Sequence, residues 1–445
     1  MKTVVALILC GIVLATLAAC GASSDAPSPD VPVFESPPQP SEPVTAPSDI
    51  AFSDADMKMS IELEVDVDKK QITVSASMAA KVENNEFSFY IGSSLTVDEI
   101  SGEGGSLEWQ TEIESLEFRG PMRKVTVTAV TDGIITAKYH GSVSGAFNFI
   151  DPEAVALSFY SSWYPQGFPY ADGAADQIRV TITGLSEYTV LRGEYDGGDK
   201  AWTYHSVKDD PTEDCNIIAF KPGSVFTVSR DGVSLHYLDE AEAGLAENIL
   251  DYSLDALAYY NEVLYPDHKK EAGNLNIVSF SYLKGVEWAY SRAGLIVYGG
   301  LSDIDEDIFM KEGAPHELAH FWANGADTSS WEDWLNETCA NWSALLYLLH
   351  IGDQDAFDQL IEMYLEYSVN FPPIKTVDGG RPNGVHNKGT VLFYELYKEH
   401  GGEMIEKLLN IFVSLPEKNT ESFINEVSSQ IGNETADFLQ AGLLT

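Results

Sequence analysis

From about Phe52 to Leu238 the chain alternates apolar and polar residues with period two. Met59, Ile61, Leu63, Val65 and Val67 are separated by polar residues, and similar runs recur at 72–78, 124–128, 178–182 and 216–220. Successive side chains of a strand point to opposite faces, so this pattern predicts an antiparallel β domain with one buried face. Asp231-Gly232, between Val225–Val228 and Val233–Leu235, predicts a hairpin turn because both residues tolerate the positive φ that a two-residue turn needs. At Asp239 the period changes. Asp239, Glu240 and Glu242 stand where a helix dipole favours anions, and Leu245, Ile249, Leu250, Leu257 and Leu264 follow at helical spacing as far as Pro266. The expected fold class is therefore α+β, with an N-terminal antiparallel β domain at 52–238 followed by a mostly helical domain at 239–445. Two short strands, 275–280 and 294–298, interrupt the second domain before a run of helices from about Pro315. No repeat of fixed period is present, which argues against a solenoid or propeller.

The first fifty residues follow a different logic. Lys2 and the apolar stretch Val4–Leu14 predict a signal peptide over residues 1–19, too short to be a permanent span. Leu17-Ala18-Ala19-Cys20 resembles the lipobox of bacterial lipoproteins, in which the Cys becomes the lipidated first residue. The alternative is an ordinary signal peptide cut after Ala19. Between Gly21 and Asp49 eight Pro are mixed with Ser, Ala and acidic residues. Such a stretch cannot bury a core, and residues 20–51 are expected to tether a folded body to a membrane through Cys20. The expected location is extracytoplasmic, on a bacterial membrane.

Charge narrows the partners. With 26 Lys+Arg against 69 Asp+Glu the formal charge is −43, and no basic cluster stands out to displace counterions from a polyanion, so nucleic acid is not an expected partner. Of the four Cys, Cys10 leaves with the signal and Cys20 carries lipid. Cys215 and Cys339 are expected as two buried thiols, with one disulfide as the alternative outside the cytoplasm.

The candidate chemistry lies between 316 and 386. His316-Glu317-Leu318-Ala319-His320 is an H-E-x-x-H motif: residues four apart share a helix face, so both imidazoles can meet one ion while Glu317 reaches its water. Pro315 fits the first turn of that helix and Asn324-Gly325 its end. A catalytic zinc needs a third protein ligand and an open position. Glu337 supplies the ligand, at the start of a second helix running to about His350, with 16 residues between it and His320. Asn341 lies one turn further along the same face, placed to orient a ligand His. Trp322, Trp331, Trp334 and Trp342 surround these helices and are expected as core packing that dries the site.

His-Glu-Leu-Ala-His followed by Trp334-Leu335-Asn336-Glu337 resembles the gluzincin metallopeptidases of the aminopeptidase N and leukotriene hydrolase family, in which that Glu is the third ligand. The family usually has two more residues in the interval. His386-Asn387-Lys388-Gly389 is similar to the family's Tyr-x-Lys-Gly stretch, with His386 in the place of the Tyr that donates to the tetrahedral intermediate; an imidazole can also donate to an oxyanion. Tyr259–Pro266 and Ala293–Tyr298 resemble the helix and edge strand ahead of the zinc helix, and Ser162–Pro165 with Gln177–Thr183 resembles the β domain ahead of both. The likeness covers roughly 150–400 and is strongest from 288 to 394. It implies a thermolysin-like catalytic domain.

The resemblance implies one Zn2+ per chain on His316, His320 and Glu337, with Glu317 and His386 catalytic and a peptide or protein as substrate. The same likeness implies a backbone-binding edge at Ser291, Gly294 and Leu295. The family holds the substrate's amine with the Glu of Gly-x-Met-Glu-Asn. Here Ser291 occupies that position, so endopeptidase and aminopeptidase both stay open, with Glu287 a substitute acid. The chain ends soon after the expected catalytic helices, which implies a more open site than in many relatives. A non-catalytic peptide-binding or structural lipoprotein with a relict zinc site is the alternative to an enzyme, and oligomeric state is left open.

Overall fold

Residues 57–445 of the computed structural model are described here, apart from 117–119, 129, 172–174, 207–214, 272, 274, 281–288, 300–307 and 378. The signal peptide, Cys20, the tether, Glu287 and Trp288 lie outside the described residues. Alternation in the first half becomes strands as expected. Met57–Asp66 and Gln71–Ala80 bury Met59, Ile61, Leu63, Val65, Ile72, Val74, Ala76 and Met78, while Glu62 and Glu64 face solvent. Both belong to an eight-stranded sheet that is antiparallel except where Met57–Asp66 runs parallel to Ala175–Thr183. Three- and four-stranded sheets lie in the same half of the chain. Their shared core, from Met59 to Ala219, includes Trp163 and Cys215.

The turn at Asp231-Gly232 forms with φ of 50° and 83°, joining strands Phe226–Arg230 and Val233–Tyr237. That hairpin continues into a five-stranded sheet: Val233–Tyr237 runs parallel to Leu275–Ser279, which runs parallel to Leu295–Tyr298. Ala289–Arg292 closes the sheet, antiparallel to Leu295–Tyr298. Among the described residues the edge is thus Ala289–Arg292, one strand further out than the sequence places it. An alternation of four residues ending in a two-residue turn is too short to announce a strand. A separate apolar cluster of Phe147, Ala156, Phe220, Phe280, Tyr290 and Val297, among others, packs this sheet against the four-stranded one.

The second half has eight α-helices among its described residues: α1 Ala243–Tyr259, α2 Ile308–Ala319, α3 Trp334–His350, α4 Gln354–Ser368, α5 Val385–His400, α6 Gly402–Ser414, α7 Thr420–Gln430 and α8 Asn433–Gly442. They form an α+β protein in which a β-sheet region precedes a helical one. Asp239 accepts the Ala241 amide at 3.0 Å ahead of α1, and a single π turn, Tyr260–Leu264, extends that helix. Trp322, Trp334 and Trp342 are buried in the helical core with Cys339, and both Cys215 and Cys339 are free thiols. None of the described helices is long and apolar enough to cross a membrane.

Helices α3 and α5 cross where Gly389 meets Trp334 and Thr338. A Cβ on Gly389 would collide with Thr338 Oγ1 and come within 3.2 Å of the Trp334 ring. Gly389→Ala is therefore expected to lower stability by roughly 1–3 kcal/mol, the usual cost of overpacking a buried contact. Urea unfolding measures it, and an unchanged midpoint would show that the helices yield without strain.

Candidate metal centre

The H-E-x-x-H motif lies on α2, but not at its start. Pro315 falls inside the helix, seven residues after Ile308, which corrects its expected place in the first turn. An interior Pro lacks an N–H and crowds the carbonyl four residues back, a cost of about 3 kcal/mol. Packing offsets it: Met310, Ala314 and Leu318 are buried in the helical core, and Tyr260 in the π turn donates to the Pro315 carbonyl at 3.0 Å. The helix also ends earlier than Asn324-Gly325. His320 follows the last helical residue, and Asn324 reaches back to donate from Nδ2 to the His320 carbonyl at 2.7 Å.

Glu337 stands in the first turn of α3, which packs directly on α2. The short connection is stapled by Asn336: its Oδ1 accepts the Ala326 amide at 3.1 Å and its Nδ2 donates to the Ala326 carbonyl at 3.0 Å. The result is a tripod. His316 Nε2 and His320 Nε2 are 3.2 Å apart, and each is 3.6 Å from Glu337 Oε2. The centre of a triangle with these sides lies about 2.0 Å from each corner, which is the bond length zinc makes to imidazole nitrogen and carboxylate oxygen.

The electrostatics fit a cation as well. Glu337 Oε2 is buried and is turned toward His316 and His320, with His386 Nδ1 2.9 Å away. Burial pushes the His316 ring down to about 3, helped by His320, so it is neutral and offers a lone pair. Burial works against ionising Glu337, yet His386, His320 and His316 hold its carboxyl well below the ordinary range. His320 Nδ1 lies 3.1 Å from the Ala323 carbonyl, which fixes its proton there and leaves Nε2 free. Two imidazole nitrogens and one carboxylate oxygen, closely spaced and largely enclosed, suit zinc.

A second set of donors overlaps the first. His316, Glu337 and His386 offer ligand atoms within 4.8 Å of one another, because His386 Nδ1 is 2.9 Å from the same Oε2. His386 stands at the second position of α5 with its side chain 46% exposed, against 12% for Glu337. Its other nitrogen, Nε2, accepts from Arg381 Nη2 at 3.2 Å. Burial acts to lower the His386 pKa, but Glu337 outweighs it and leaves the ring raised. The tighter, more enclosed donor set is His316, His320 and Glu337; His386 borders it on the open side.

Glu317, between His316 and His320 in sequence, is buried, and burial pushes its carboxyl up to about 7 with Glu337 and Glu312 acting the same way. Asn341 is buried and donates from Nδ2 to the His386 carbonyl and to Thr390 Oγ1, both at 2.8 Å, so it holds the start of α5 against α3. Ser291 lies on the edge strand with its Oγ buried and without a hydrogen-bond partner. Gly294 forms the turn after that strand, and Leu295 buries its side chain in the apolar cluster while its strand pairs with Leu275–Ser279 on one side and Ala289–Arg292 on the other, so the edge open to a peptide is Ala289–Arg292 and not Leu295.

Four residues of this region carry no sequence signal strong enough to find them alone. Arg381, in the connection before α5, donates from Nε to Asp333 Oδ2 at 2.6 Å and places Nη2 3.5 Å from Glu337 Oε1. Asp333 is itself buried beside the ligand. Glu312 and Tyr364 meet behind His316. Glu312, four residues before His316, and Asp333, four before Glu337, stand where helical spacing points to the site.

These features define an α+β protein whose helical half holds a partly buried His-His-Glu donor set beside the edge of a mixed sheet. No protein-family profile matches the chain, and no curated protein does. Solved structures do match: yeast LTA4 hydrolase in complex with bestatin (TM-score 0.62, 13% identity, 87% of this chain and 67% of that one) and native yeast LTA4 hydrolase (TM-score 0.61, 14% identity, 86% and 66%). Native leukotriene A4 hydrolase from Saccharomyces cerevisiae also matches, with a TM-score of 0.58 and 13% identity over 86% of this chain and 66% of that one. The chain has their fold and spans about two thirds of their length.

Proposed function

We propose that this chain is a zinc-dependent metallopeptidase, a gluzincin of the aminopeptidase N type, carried on the outside of a bacterial membrane by lipidated Cys20. The observation that carries the reading is the tripod, in which two Nε2 atoms and Glu337 Oε2 lie 3.2 to 3.6 Å apart. A zinc ion held there supplies Lewis acidity, polarising the scissile carbonyl and bringing the pKa of water to about 7. Glu317 takes the proton of the attacking water and returns it to the leaving nitrogen. Its dry surroundings favour that role, since a carboxyl poised near 7 can both accept and release a proton. His386, on the open side, donates to the oxyanion once its ring turns from Glu337, and Arg381 beside it adds positive charge. The backbone of Ala289–Arg292 offers an edge along which an extended peptide can pair.

Ser291 is neutral where an amine-binding acid is expected, which favours an endopeptidase. Metal analysis of residues 52–445, joined to a mass-spectrometric cleavage profile on paired free and N-acetylated peptides, tests both statements. The expected result is one zinc per chain and cleavage that tolerates acetylation. Cleavage lost on acetylation would make it an aminopeptidase, and tight peptide binding without cleavage would favour a non-catalytic binding module.

A further inference from the structure

His316 and His320 are both suited to present Nε2 to one ion, but they are supported differently. A ring that gives its Nε2 lone pair to a cation carries its proton on Nδ1 and needs an acceptor there. His320 has the Ala323 carbonyl. His316 Nδ1 is buried without a hydrogen-bond partner of good geometry; the Asn341 side chain reaches the same ring, and the carboxylate within reach is Glu312, whose Oε1 lies 3.9 Å away. Glu312 precedes His316 by one helical turn, so α2 itself aligns the two.

Glu312 is enclosed, with its side chain 13% exposed. Tyr364 of α4 donates toward Glu312 Oε1 at 3.1 Å, and its hydroxyl also lies 3.2 Å from Asn341 Oδ1. Asn341 in turn donates to the His386 carbonyl at 2.8 Å. A polar chain therefore runs from behind the first ligand ring, through three more helices, to the backbone of His386. A buried carboxylate with a phenol as partner is costly unless a positive group balances it. A cation held at His316 Nε2 would supply that balance through the ring.

We propose that Glu312, held in place by Tyr364, is the positioning residue of His316: it accepts the Nδ1 proton and aims Nε2 at the metal. The inference rests on the zinc reading above. Closing the 3.9 Å separation to a hydrogen bond takes a movement of about 1 Å.

The test compares wild type, Glu312→Leu, Glu312→Gln and Tyr364→Phe by chelator competition for zinc and by the visible spectrum of the cobalt-substituted proteins. Wild type is expected to bind one zinc. Glu312→Leu should bind it 10–100-fold more weakly, the range found when a ligand's outer partner is removed. Glu312→Gln, which keeps an acceptor oxygen, should recover part of that loss, and Tyr364→Phe should weaken binding by a smaller factor. The cobalt bands should shift in Glu312→Leu, which a residue serving packing alone would not cause. A folded Glu312→Leu with wild-type zinc affinity and unshifted bands overturns the proposal while leaving the zinc site intact. If Glu312→Leu does not fold, wild-type affinity in both Glu312→Gln and Tyr364→Phe overturns it. Wild type without zinc overturns the zinc reading and this inference together.

Discussion

Glu317→Gln is expected to lower kcat by about 10²–10⁴-fold while zinc content stays near one per chain, since that is the range a positioned acid or base contributes. The substitution keeps the shape of a buried side chain on α2 and removes its capacity to accept a proton. Glu317 itself is not one of the three donors that meet at 3.2 to 3.6 Å, so the metal should remain. Burial and the nearby carboxylates raise its pKa to about 7 without a metal; a dication beside it favours the charged form and moves it down. The base works ionised, so kcat/KM of the wild type should fall as pH drops below its loaded pKa, with the midpoint at or under 7. Steady-state assays across pH with metal analysis of each sample check both statements. A variant that cleaves at the wild-type rate would remove Glu317 from the mechanism.

The parts of this molecule legible in the sequence are those set by short-range periodicity. The strand from Met57 to Asp66, the Asp231-Gly232 turn and helix α1 follow from alternation, turn chemistry and helical spacing. The three donors were legible for the same reason, since four-residue spacing puts two rings on one face and a following helix can bring an acid to them. Pro315 misled because its preference for a first turn is local, whereas the burial of Met310, Ala314 and Leu318 and the Tyr260 hydrogen bond belong to the tertiary structure. The edge strand Ala289–Arg292 was missed because four residues are too few to set a period. Arg381 and Tyr364 could not be found from spacing, since they lie in the connection before α5 and on α4 and meet the site only through the packing of α3, α4 and α5, whereas Asp333 stands one helical turn before Glu337.

Glu337→Gln is expected to abolish stoichiometric zinc binding, weakening affinity by more than the ~100-fold ceiling typical of outer partners because a ligand atom is lost. The carboxylate is the one group that faces His316, His320 and His386 together, at 3.6, 3.6 and 2.9 Å. Without its charge the two rings lose the carboxylate that lies 3.6 Å from each, while Arg381 still holds Asp333. Ligand binding stabilises a native state by RT ln(1 + [L]/Kd), about 2.7 kcal/mol at a hundredfold excess over Kd. Wild-type protein should therefore melt at a higher temperature with zinc than without it, and Glu337→Gln should show no zinc-dependent shift. Glu337 belongs to both overlapping donor sets, so a variant still holding one zinc per chain would exclude both. His320→Ala and His386→Ala then separate the sets. The even 3.2 to 3.6 Å spacing of His320 with His316 and Glu337, and its deeper burial, mean that its loss should cost the metal, whereas His386→Ala should keep zinc and lose rate. The opposite pattern would move the second imidazole ligand from His320 to His386.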